Sequence, residues 1–65
     1  MKIGTITNGH VQAITRNLRE SYGPEVTEEL ILAEIAKLKE DQQPTGIIGM
    51  FTKGMLEEAG VLTDD

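Results

Sequence analysis

The sequence predicts an all-α fold: a compact three-helix domain with a short N-terminal extended arm, residues 1–65 forming one domain. Three observations carry this. Apolar residues recur at steps of three and four in three separate stretches, the period of a helix with one face on a core. Breaks at Gly23 and Pro24, and again at "DQQPTG", divide those stretches. The chain has 65 residues and no cysteine, so helix packing or self-association must supply the stability that a disulfide would otherwise give.

The arm is "MKIGTIT". Ile3 and Ile6 are apolar, and Thr5 and Thr7 are β-branched. A strand at this point finds no partner in the rest of the sequence. The segment is therefore expected to be an arm that lays Ile3 and Ile6 on the helices.

The first helix is predicted over about 9–22. Thr7 or Asn8 supplies the N-cap, since a short side-chain oxygen accepts an otherwise orphan backbone N–H. Val11, Ile14, Leu18 and Tyr22 form one narrow stripe. Gly23 tolerates a left-handed cap, and Pro24 cannot continue a helix.

The second helix is predicted over about 28–41. Thr27 is its N-cap, with Glu28 and Glu29 where the helix dipole favours anions. Val26 and Ile31 form a hydrophobic staple across that start. Ile31, Leu32, Ile35, Ala36 and Leu38 make a wide apolar arc, which predicts a central helix touching two neighbours. Glu34, Lys37, Glu40 and Asp41 are expected on the wet side, with Glu34 and Lys37 close enough to pair.

The third helix is predicted over about 46–59, with Thr45 as cap and a stripe of Ile48, Phe51, Met55 and Ala59, followed by Leu62. Gly60 reads as the left-handed stop, placing Val61 against Leu56 as in a Schellman cap. The last residues, "VLTDD", are expected to be a frayed acidic tail.

Four of the seven glycines fall in or at the end of this third helix. Gly49 and Gly54 lie at the borders of its predicted apolar face, and each costs about 1 kcal/mol relative to Ala. One reading is close packing inside the domain, which predicts that Gly54→Ala destabilises by overpacking. A second is a flattened partner surface made by Gly49, Met50, Lys53 and Gly54, with Met50 as an adaptable contact, and a third is an unwound or broken helix.

Composition bears on function. Eleven acids against six bases give a net charge of −5, which disfavours general phosphate binding. The charge is uneven. Lys2, Arg16 and Arg19 against Glu20 make residues 1–23 +2, and the remainder is −7. Gln12, Thr15, Arg16 and Arg19 share one side of the first helix, and such side chains grip phosphates and read base edges. A solvated polar face with Arg16 or Arg19 paired to acids of a neighbouring helix is the favoured reading, because no helix precedes this one as in a helix-turn-helix.

Other motifs are weaker. "GIIG" fits the G-x-x-G loop of KH domains only in its glycines, because its central residues are apolar and no sheet flanks it. A P-loop is excluded by the absence of G-K-[ST] in register. A single His10, no cysteine and no EF-hand spacing leave no metal-site pattern. No cofactor is expected, and no catalysis. No run approaches the length of a membrane span, no signal peptide is evident, and the lack of cysteine fits the cytoplasm. The function expected is a small acidic interaction module, accessory or regulatory, binding another protein or itself. The alternative is a small nucleic-acid-binding regulator using Gln12, Arg16 and Arg19.

Overall fold

A computed structural model describes residues 2–63. Its elements are β1 (Lys2–Ile3), α1 (Asn8–Tyr22), α2 (Glu28–Lys39), α3 (Gly46–Glu58) and β2 (Leu62–Thr63). All three predicted helices are present. The radius of gyration is 10.9 Å, against about 11 Å expected for a compact chain of this length.

Helix α1 starts where a capping box closes. The Thr7 hydroxyl accepts the His10 N–H at 3.3 Å, and His10 Nδ1 accepts the Thr7 N–H at 3.1 Å. Imidazole thus takes the place usually held by Glu or Gln. Val11, Ile14 and Leu18 are buried as expected, but Tyr22 is 49% exposed. Thr15 is buried instead, its hydroxyl donating to the Val11 carbonyl at 2.7 Å. That bond lets a polar side chain enter the core without an unsatisfied group.

Gly23 ends α1 at φ 102°, its N–H donating to the Arg19 carbonyl at 2.8 Å. The Arg19 side chain then reaches across the turn, Nε donating to the Val26 carbonyl at 2.6 Å. One residue thereby holds both ends of the α1–α2 connection.

Helix α2 begins at the Thr27 cap, whose hydroxyl accepts the Leu30 N–H at 3.4 Å. Val26 and Ile31, the staple pair, are both buried in the core. The buried set of α2 is Ile31, Glu34, Ile35 and Leu38, narrower than the predicted arc. Leu32 is 51% exposed, and Glu34, expected to be wet, is only 8% exposed. The helix also stops two residues early. Asp41 adopts φ 60°, and the N–H groups of Asp41 and Gln42 bond the Leu38 and Lys37 carbonyls. This is the Schellman pattern, with aspartate in the place usually taken by glycine.

Helix α3 ends as predicted. Gly60 has φ 76°, its N–H meets the Glu57 carbonyl, and the Val61 N–H meets the Leu56 carbonyl, both at 3.0 Å. Its buried face is rotated from the predicted stripe. Gly49, Thr52 and Leu56 are buried, Ile48, Phe51 and Met55 are half-buried, and Ala59 is exposed. The Thr52 hydroxyl is satisfied by the Ile48 carbonyl at 2.8 Å, the same device as in Thr15.

The arm has a partner after all. β1 and β2 pair antiparallel, Lys2 opposite Thr63 and Ile3 opposite Leu62. The Gly4 N–H extends the ladder to the Val61 carbonyl at 2.8 Å. Val61 and Leu62 are buried, so this stretch is no frayed tail. The Schellman turn at Gly60 reverses the chain and delivers it to the arm. Asp64 and Asp65 lie outside the described residues.

Candidate protein-contact surface

The two glycines that drew attention in the sequence have different surroundings. Gly49 is buried, on the face that α3 turns to the rest of the domain. A Cβ there would run into Glu34 Oε1 and would stand 3.1 Å from Pro44 Cβ. The glycine makes room for a buried carboxylate. Glu34 Oε1 accepts the Thr45 N–H at 3.3 Å, and Oε2 receives Lys37 Nζ at 2.9 Å. Lys37 also donates to the Thr45 hydroxyl at 2.7 Å, so that hydroxyl does not cap its own helix. Lys37, followed by the Thr45 N–H, holds the Glu34 carboxyl below the usual carboxylate range, against the opposing effect of burial. This group ties the start of α3 to the middle of α2.

Gly54 is the opposite case. An added Cβ would meet no atom of the described residues within 4 Å. The overpacking expected for Gly54→Ala therefore does not arise inside the monomer. Gly54 belongs instead to a second apolar stripe on α3. Ile47, Met50, Phe51 and Gly54 follow at i, i+3, i+4 and i+7, on the face opposite Gly49, Thr52 and Leu56. Ile47 is 60% and Met50 64% exposed. Lys53, also a contact candidate, is half-buried and lies off this stripe.

Three shallow depressions meet at Ile47. One is bounded by Pro44, Met50 and Phe51, one by Ala33 and Ile48, and one by Tyr22, Leu30 and Ile48. The exposed large apolar side chains Tyr22, Leu30, Ile47 and Met50 thus border one connected region. Of its members only Met50 and Gly54 were among the sequence candidates. Ile47 was legible too: a helix apolar at 47, 48, 50 and 51 has more apolar faces than one core can cover.

No protein-family model matches the chain, and neither a curated protein nor a solved structure matches it at a significant level. The geometry alone therefore bears on function.

The nucleic-acid candidates are brought together in a shallow cleft on the other side. Gln12, Thr15, Arg16 and Arg19 line it, along with Glu28. Thr15 is buried and its hydroxyl is engaged, and the Arg19 Nε is engaged with Val26. Gln12 and Arg16 are exposed. A carboxylate in the same cleft opposes a phosphate there. His10 serves the α1 cap. Among the described residues, no cluster of three or more His, Asp or Glu could hold a metal, and no helix is long and apolar enough to cross a membrane.

Proposed function

We propose that this chain is a small helical protein–protein interaction module, accessory or regulatory, with no catalysis of its own. It docks through the outer face of α3. The supporting observation is the second apolar stripe opposite the face that α3 buries, in which Ile47 and Met50 are exposed and Phe51 and Gly54 half-buried. Exposed apolar patches of this kind, continuous and at helical spacing, mark surfaces that another protein covers. The cysteine-free composition supports a cytoplasmic setting.

The rival reading, a nucleic-acid-binding regulator, draws on Gln12, Arg16 and Arg19. The net charge of −5 and the presence of Glu28 in that cleft weigh against it.

A photo-reactive side chain placed at Met50 tests the proposal in cells that make the protein. It should give a discrete polypeptide adduct, and the same group at Leu32 should not. Leu32 is similarly exposed but lies outside the region around Ile47. Equal labelling from both positions, or none from Met50, would reject the assignment.

A further inference from the structure

The outer stripe of α3 is complementary to itself. We propose that its partner is a second copy of this chain, packed as an antiparallel α3–α3 pair about a twofold axis between Met50 and Phe51. The inference rests on the outer face of α3 being a docking surface, and it names the occupant.

Shape is the first ground. A twofold axis at that point sets Ile47 of one copy opposite Gly54 of the other, and Met50 opposite Phe51. The largest exposed aliphatic at one end meets the position without a side chain at the other. The space over Gly54 is open in the monomer. A glycine inside a helix is unfavourable by about 1 kcal/mol relative to Ala, and among the described residues no contact explains it. A twofold contact needs one patch to fit itself, and this one has a projection and a matching gap.

Charge is the second, independent ground. Helix α2 carries Glu28 and Glu29 in its first turn and Lys37 and Lys39 in its last, as the helix dipole favours. Helix α3 lacks this pattern. It has no acid in its first turn and no base in its last, where Glu57 and Glu58 stand. Its Thr45 makes no side-chain cap, because Lys37 holds the hydroxyl. An antiparallel mate places Glu57 and Glu58 of each copy at the level of Pro44 and Gln43 of the other, where no like charge stands. A parallel mate would bring Glu57 and Glu58 of the two copies together and set Gly54 against Gly54. Between the ends, residues 42–52 carry no charge, so two acidic chains can meet along this line without facing like charges.

A single helix pair with its margins buries less than the ~1,600 Å² of a standard interface, so the dimer is expected to dissociate in the micromolar to sub-millimolar range, roughly. Sedimentation equilibrium of the purified full chain, from about 10 μM to about 1 mM, tests this range. A reversible monomer–dimer equilibrium is expected. Ile47→Glu and Gly54→Leu should each raise the dissociation constant about tenfold or more, with unchanged circular dichroism, since neither site is buried. Orientation is read separately. When Ile47→Cys and Gly54→Cys proteins are mixed and oxidised, the mixed disulfide should dominate over either self-linked form.

A chain that stays monomeric at the highest concentration overturns the proposal, as does a dimer indifferent to both substitutions. Predominant self-linking of each cysteine variant overturns the antiparallel arrangement. If the chain is monomeric yet Met50 still labels a different protein in cells, the second-copy assignment fails and the docking face stands.

Discussion

Gly49 on α3 leaves the space that the Glu34 carboxylate of α2 occupies. The carboxylate cannot swing aside freely, because Lys37 Nζ holds one oxygen and the Thr45 N–H the other. Pro44 Cβ would also stand 3.1 Å from a methyl added at Gly49. Gly49→Ala gains about 1 kcal/mol of helix propensity but meets an overpacking cost of about 1–3 kcal/mol and displaces a charge-assisted hydrogen bond of about 1.5–3 kcal/mol. The losses exceed the gain. A net destabilisation of about 1–3 kcal/mol is expected in denaturant unfolding. In a Glu34→Ala background the same change should cost much less, and a double-mutant cycle with no coupling would contradict this account.

Gly54→Ala should do the reverse. Its Cβ enters open space, so only the propensity gain remains, about 1 kcal/mol of added stability. The melt must be run dilute, where the chain is monomeric. A lowered melting temperature would restore the overpacking expectation that the sequence alone supports.

The Glu34 carboxyl titrates below its ordinary range in the folded state, chiefly through Lys37 and then Thr45. A folded pKa below the unfolded one makes the folded state bind fewer protons than the unfolded state. Its contribution to stability is therefore complete above the unfolded value, about 4.3 for a glutamate, and is lost as pH falls through the lower folded value. Between pH 5 and 8 this group should contribute no slope. Comparing wild type with Glu34→Gln across acid pH isolates the effect: the difference in stability between them should shrink below about pH 4. A difference independent of pH would show that the carboxylate charge has no part in it.

Leu62 is 4% exposed and pairs through its backbone with Ile3. Leu62→Ala should cost about 2–4 kcal/mol, as for a buried leucine elsewhere, and should accelerate amide exchange at Gly4, whose N–H is held by Val61. A frayed C-terminal segment would give a change near zero in both measurements.

Local chemistry was enough to read the helices and their limits. Thr7, Thr27, Gly23 and Gly60 act within a turn of themselves, through a hydroxyl oxygen that accepts an orphan N–H or a backbone that adopts positive φ. No distant contact is needed for such roles, so the three helices and the Gly60 stop were legible in the sequence. The faces were less so. Period alone gave Val11, Ile14 and Leu18 correctly, yet placed Tyr22 inside and Glu34 outside. Which side of a helix is covered depends on where its neighbours lie, and no periodicity contains that. Thr15 and Thr52 entered the core because each hydroxyl could bond back one turn, a possibility that hydropathy does not register. Asp41 stopped α2 without glycine because aspartate, like asparagine, tolerates the left-handed region better than most side chains. The β1–β2 pair joins residues at opposite ends of the chain, and only the returning turn at Gly60 brings them together. The candidate surface divides the same way. Met50 and Gly54 stood out as residues, but that Gly49 faces a carboxylate while Gly54 faces open space is a fact about what lies across from each, and only the packed structure sets one against Glu34 and leaves the other bare.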